Sequence, residues 1–213
     1  MVVRHWRLVA LVTALIAVVV LGIIVSVRQS PLELDAEWME EVIEHRHPAW
    51  LIPSLVMNAV GGGILGALVI PLVTTIALVI FGRPWGALYF GAASIVSAGL
   101  VQLLKALLGR ARPEQMLVAS DAGSFPSGHV ANAATVAVAL AFLVGRAWAW
   151  YAGVVWVILM ALSRTYLGVH WVTDTIGGAV LGAAVALIVW APFAARLGTE
   201  SWRRPWRRSS VKA

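Results

Sequence analysis

Six apolar stretches, separated by short polar segments, run the length of this 213-residue chain. Residues 8–27 carry no charge and as a helix would extend about 30 Å, enough for one bilayer crossing. The run is long for a secretory signal and no small-residue cleavage site follows it, which favours a retained span. Residues 33–44 are different: six carboxylates interleave with Trp38, Val42 and Ile43, the pattern of an amphipathic helix lying at the surface and covering the bundle. From 48 to 82 there is again no charge, but Pro53, Asn58, Gly61-Gly62-Gly63 and Pro71 interrupt the run. The favoured reading is one crossing over 56–81 approached along the interface around Trp50, with two short crossings as the alternative. Arg83-Pro84 makes a turn into a third span, 85–104, and spans over 129–145, 148–162 and 175–195 complete the pattern. The expected fold is an all-α, single-domain membrane bundle of six helices with one external amphipathic helix, followed by a basic tail over 196–213.

Composition strengthens that picture. With 61% hydrophobic residues and only 12% charged, the chain is too apolar for a soluble domain. The absence of cysteine excludes disulfides and thiolate metal sites. A net charge of +6 could suggest nucleic acid, yet the cations crowd into termini and turns beside apolar runs, which is a topology signal. With six spans and a cytoplasmic N-terminus, the inner segments hold ten cations and Glu200 as their one carboxylate, while the outer segments hold six cations and nine carboxylates. That bias puts both termini in the cytoplasm and lets Arg203, Arg204, Arg207, Arg208 and Lys212 anchor the tail to anionic lipid. Gly178 and Gly182 form a small-xxx-small pair suited to close packing inside the bundle. Nothing in the pattern sets an oligomeric state.

Span parity then brings three polar clusters to one membrane surface. Lys105 and Arg112 are two helical turns apart, ahead of Pro113, and read alone they are ordinary snorkelling cations. Pro126-Ser127-Gly128-His129 leads into the fourth span, where free amides at a helix start make an anion seat, or where Ser127 simply caps the helix. Ser163 to Asp174 places Arg164, His170 and Asp174 between apolar runs, where polar groups are costly unless paired or functional. If the segment after Gly168 is helical, His170 and Asp174 share a face at i and i+4, and the carboxylate can hold Nδ1–H and leave Nε2 free. A satisfied histidine at a helix end explains that stretch equally well. Taken together, three cations, free amides, two histidines and a carboxylate are an inventory for phosphoryl transfer without a metal cage. His45 and His47 are read as solvated side chains rather than metal ligands.

The ordered set Lys105-x6-Arg112-Pro113, Pro126-Ser127-Gly128-His129 and Ser163-Arg164-x5-His170-x3-Asp174 resembles the complete three-part signature of the type 2 phosphatidic acid phosphatase superfamily, with no departure at any signature position. The resemblance covers about residues 84 to 195. It implies a six-helix bundle with an extracytoplasmic site, His170 as a nucleophile forming a phosphohistidine, Asp174 orienting it, and His129 protonating the leaving group. Lys105, Arg112, Ser127, Gly128 and Arg164 would bind the phosphoryl oxygens, with no metal and no cofactor. The expected partner is a lipid phosphate in the bilayer rather than a nucleic acid, and undecaprenyl diphosphate left after wall-polymer synthesis stands ahead of phosphatidylglycerol phosphate and phosphatidic acid. Transfer of a phosphoryl or head group between lipids is the nearest competing chemistry, and a non-catalytic lipid-binding or transport protein the more distant one.

Overall fold

The computed structural model describes residues 2–28, 30–121 and 123–200, and every regular element among them is helical. The cations expected at 203–212 fall outside the described residues. Helix α1 covers Val2–Val27 and α2 covers Glu33–Glu44. A 3-10 turn at Pro48–Trp50 leads into α3, Leu51–Gly61, and a π-helical turn at Leu65–Val69 then leads into α4, Ile70–Ile80. Four long helices follow: α5 (Pro84–Leu108), α6 (Gly128–Val144), α7 (Ala147–Tyr166) and α8 (Val172–Leu197).

Helices α1, α5, α7 and α8 are each long and apolar enough to cross a bilayer, and α3 with α4 counts as a fifth crossing if the pair forms one bent span. The expected continuous helix over 56–81 is therefore broken. The chain bends by 47° at the glycine triplet, where Gly63 has φ +57°, a conformation side chains disfavour. Asn132 on α6 satisfies the interruption by donating Nδ2 hydrogen bonds to Gly61 O at 3.3 Å and Gly66 O at 3.0 Å.

The core sits around α6, which packs against α5, α7 and α8. At 17 residues α6 is the short apolar helix of the set. It is mostly apolar, as suits a helix surrounded by others, and Val130, Ala131 and Ala139 on it are fully buried. The glycine pair of α8 brings the two backbones together: a Cβ on Gly178 would lie 2.5 Å from Ser127 O, and one on Gly182 would lie 2.1 Å from Ala131 O. These glycines serve packing within the bundle. Val18, Val25, Phe125 and Leu181 form one apolar cluster, and Leu78, Tyr89, Phe90 and Leu143 form another toward the opposite end. The outward faces remain apolar, with Ile16, Ile23, Leu72, Ile95 and Ile158 all exposed, as lipid contact requires.

The fold places the polar clusters through helix ends. Helix α5 stops at Gly109, whose left-handed φ of +57° closes the helix. Helix α7 runs on to Tyr166, four residues past the end expected from the sequence, so Ser163 and Arg164 stand on its last turn. Gly168 turns the chain back with φ +67°, and a Cβ there would lie 2.4 Å from Gln115 O, so both backbone and space demand glycine.

Candidate active site

Lys105, Gly128, His129, Arg164 and His170 line one end of a cavity of about 1060 Å³. Its other end runs between α4 and α5 past Leu65, Leu68, Leu72, Ile95 and Val101. The three clusters expected to meet do meet. Ser127 stands just behind the wall with its Oγ buried and unpartnered among the described residues, while its backbone N–H donates to Asp174 O at 3.0 Å. The amides of the first turn of α6 have no intrahelical partner, the usual condition of a helix start and the basis of anion binding there.

His170 is not on the helix that carries Asp174. Helix α8 starts at Val172, so His170 precedes its cap residue, Trp171, and Asp174 is the third residue of the helix. The pair still approaches, His170 Nδ1 lying 3.4 Å from Asp174 Oδ2. At that distance the two groups approach without a made hydrogen bond, and Oδ2 accepts the Trp171 N–H at 2.9 Å. On its other side His170 Nε2 lies 3.4 Å from Arg112 Nη1. Burial pushes the imidazole down to about 4, against the opposing pull of Asp174, so the ring is neutral near pH 7.

The cations are held by different means. Lys105 Nζ donates to Gly123 O at 2.7 Å and lies 3.3 Å from Asp121 Oδ1. Arg112 donates to the same Oδ1 at 2.7 Å, to Gly123 O at 2.9 Å, and to Val169 O. Asp121 bridges both cations where a phosphoryl oxygen would be welcome. Burial pushes its carboxyl up, but Lys105 and Arg112 outweigh burial and hold it below the usual carboxylate range. Arg164 is buried and donates Nη1 to Asn58 Oδ1 at 2.5 Å, with Nε left without a partner among the described residues.

Asn58, which the sequence marks only as an interruption of an apolar run, and Asp35 and Arg110, which it does not mark, also belong to the site's surroundings. The backbone carbonyl of Asn58 faces His129 Nε2 at 3.1 Å, so one residue of α3 meets both Arg164 and His129. The glycine triplet admits the ring: a Cβ on Gly62 would lie 2.2 Å from His129 Cε1 and Nε2. Asp35, from α2, is fully buried. Arg110 bridges it to Asp174, at 2.6 Å and 2.5 Å respectively. A buried acid in an otherwise exposed acidic helix has no signal in a single sequence. Away from the cavity, His45 and His47 do not come together as a pair; His45 instead lies with Glu41 and Glu44 in an exposed group.

A model of the PAP2 superfamily matches residues 86–197, more than half of the chain. The chain belongs to that superfamily and is an integral-membrane lipid phosphatase. It is 37% identical over 147 residues to the decaprenylphosphoryl-5-phosphoribose phosphatase of Mycobacterium tuberculosis, covering 67% of this chain and 80% of the relative. It is also 40% identical over 65 residues to an undecaprenyl-diphosphatase of Sulfolobus acidocaldarius, about 30% of each chain. The fold is similar to that of a PAP2-type phosphatidylglycerolphosphate phosphatase from Bacillus subtilis, with a TM-score of 0.77 and 24% identity over 91% of this chain and 98% of that one.

Proposed function

We propose that the protein hydrolyses the terminal phosphate of a polyprenyl lipid phosphate through a phosphohistidine on His170, with undecaprenyl diphosphate as the leading substrate. The observation that carries this reading is the continuity of the cavity: cations and histidines at one end, an apolar groove between α4 and α5 at the other. The lipid chain lies in the groove while the phosphoryl group meets Lys105, Arg112, Arg164 and the free amides at the start of α6. His170 Nε2 attacks phosphorus, and the bond from phosphorus to the bridging oxygen breaks as His129 gives that oxygen its proton. Asp174 steadies the imidazole as it gains positive character. His129 then takes a proton from water, whose oxygen attacks the phosphohistidine and releases inorganic phosphate. A diphosphate suits this site because its leaving group is better and its additional oxygens engage more of the cations.

On this reading α6 is the sixth crossing, the site faces outward and both termini are cytoplasmic, as the charge bias suggests. The donor set around the cavity also argues for hydrolysis without a metal, since three cations already offset the phosphoryl charge. A second reading, a polyprenylphosphoryl sugar phosphate as substrate, draws support from the mycobacterial relative. The test is phosphate release from undecaprenyl diphosphate, a polyprenylphosphoryl pentose phosphate, phosphatidylglycerol phosphate and phosphatidic acid in one detergent, with and without excess EDTA. We expect the diphosphate to lead and EDTA to be without effect. A tenfold preference in kcat/KM for another lipid, about 1.4 kcal/mol in the transition state, replaces the substrate. Loss of activity in EDTA with recovery in Mg²⁺ overturns the metal-free chemistry, and transfer to an added lipid alcohol in place of phosphate release makes the enzyme a transferase.

A further inference from the structure

The contacts of the external helix reach the catalytic carboxylate. Asp35 Oδ2 accepts from Arg110 Nη2 at 2.6 Å and from Thr173 Oγ1 at 2.7 Å, while its Oδ1 accepts the Thr173 backbone N–H at 2.9 Å. Arg110 Nη1 in turn donates to Asp174 Oδ1 at 2.5 Å and to Thr173 Oγ1 at 2.8 Å. Asp35 and Asp174 are both 0% exposed and Arg110 5%. The sequence thus brings together three charges from α2, the segment after α5, and α8, separated along the chain by at least 64 residues.

A buried guanidinium beside a single carboxylate would neutralise it. Asp174 would then have little field left to stabilise charge on His170, which lies 3.4 Å from its second oxygen. Here the guanidinium is shared between two carboxylates. We infer that Asp35 is a positioning residue for catalysis: by taking half of Arg110 it leaves Asp174 anionic toward His170, and through Thr173 it fixes the start of the helix that carries Asp174. The second part follows from geometry, since an acid accepting the amide at the second position of a helix acts as a cap supplied by another element. The inference rests on His170 being the nucleophile. In this scheme α2 is more than a cover over the bundle, because the rate of phosphoryl transfer depends on its docking.

The test is Asp35→Asn, which keeps the size and removes the charge, compared with Asp35→Asn/Arg110→Gln, which removes both charges. The conservative Asp35→Glu, Thr173→Val, and Glu37→Gln on the exposed side of α2 are controls. The expected result for Asp35→Asn is a loss of about tenfold in kcat with KM within twofold, because the phosphate-binding cations are untouched. The acid limb of the pH profile should also move to lower pH, because an unopposed Arg110 weakens the pull of Asp174 on the His170 proton. The other charged groups facing His170 are Arg112, Arg164, Asp121 and His129, and all are unchanged in these variants. The double variant should recover at least threefold over the single one, and Asp35→Glu should keep the wild-type limb. Thr173→Val should lower thermal stability without moving the limb.

A folded Asp35→Asn enzyme with wild-type kcat and an unmoved limb overturns the inference, and so does a Thr173→Val limb that moves as far as that of Asp35→Asn. If Asp35→Asn alone does not fold, the charge-balanced double variant decides: activity within tenfold of wild type supports the charge argument and complete loss defeats it. The nucleophile assignment fails separately, through a phosphoenzyme that persists in His170→Ala.

Discussion

Helix α5 has buried cations at both ends, and the two ends use them in opposite ways. At the N-terminal end Arg83 donates to Leu143 O and lies 3.6 Å from Glu200 Oε2. Glu200 accepts the Trp85 N–H at 2.6 Å and the Gly86 N–H at 3.0 Å, so it caps α5, and Arg196 stacks over Trp85 at 4.3 Å. Charge there closes on itself and holds a helix end shut. At the C-terminal end Lys105 and Arg112 meet backbone carbonyls and a single exposed carboxylate, Asp121, and Lys105 looks into a cavity. Buried charge by itself therefore does not mark a site in this chain. What separates the two ends is whether the partner of the cation could be exchanged for a ligand: Glu200 is locked by two backbone amides, whereas Asp121 is 58% exposed.

The contrast can be broken most severely at His170, the proposed nucleophile. His170→Ala should abolish both turnover and the trapped phosphoenzyme, a loss of roughly 10⁴-fold or more in kcat. His129→Ala should still form the phosphoenzyme, slowly, and most slowly with poor leaving groups. A phosphoenzyme unchanged in His170→Ala would sink the division of labour between the two histidines. Arg164→Ala is expected to cost about 10² to 10³ in kcat/KM, the scale of one electrostatic donor. A change below threefold would place this buried cation with Arg83, as architecture.

Gly62→Ala tests the approach of α3 to His129, the proposed acid. Its backbone is extended, with φ −150°, so alanine is conformationally acceptable and only the contact with His129 is disturbed. We expect about a tenfold loss in kcat for the lipid substrate and a smaller loss for an aryl phosphate, whose leaving group needs no proton. Equal losses would mean that the ring was not displaced from its role as acid.

The pH profile should have an acid limb set by His170. In the proposed mechanism its free imidazole is the reactive form, and burial lowers its proton affinity from 6.5 to about 4. Activity should therefore hold as pH falls through 6 and decline only as pH passes through about 4. Because the unfolded chain takes up the proton first, stability should erode earlier, as pH falls from about 6.5 to about 4. Thermal unfolding and kcat/KM measured across pH 3.5 to 7 check both signs, and a limb near 6.5 would show a solvated ring. The smallest effect on rate belongs to the opposite end: Glu200→Gln should reduce stability by about 1 to 3 kcal/mol, as expected for weakening a buried cap, and leave kcat/KM of the folded enzyme unchanged.

Much of this arrangement could be read from residue order. The three clusters were legible because two apolar runs lie between the second and the third, and α6 and α7, which pack together, return the chain to the cavity it left. The helix over 33–44 was legible in its limits but not in its role, since nothing distinguishes Asp35 from Glu33 or Glu37 until the helix docks. Arg110 was hidden for a related reason: it lies between Lys105 and Arg112, and spacing along a helix cannot tell which cation turns inward once Gly109 has ended that helix. The i and i+4 spacing puts His170 and Asp174 on one face only if the segment after Gly168 is helical, whereas the chain brings His170 near Asp174 from outside the helix. The glycine triplet was seen as an interruption but not as a break, because its bend is stabilised by Asn132, 66 residues away from Gly66.

That last contact affects how a mutational survey of this enzyme would read. Asn132 lines the cavity and stands one helical turn from His129, so in a screen scored only by colony growth or phosphate release its loss would be counted with the chemical groups. Its amide is bonded to two carbonyls of the broken helix, not aimed at a ligand. Defects there should appear first as lower yield in the membrane and faster proteolysis between α3 and α4, with normal turnover in the molecules that survive. Expression level measured beside activity, variant by variant, would sort the residues that build the cavity from those that work in it.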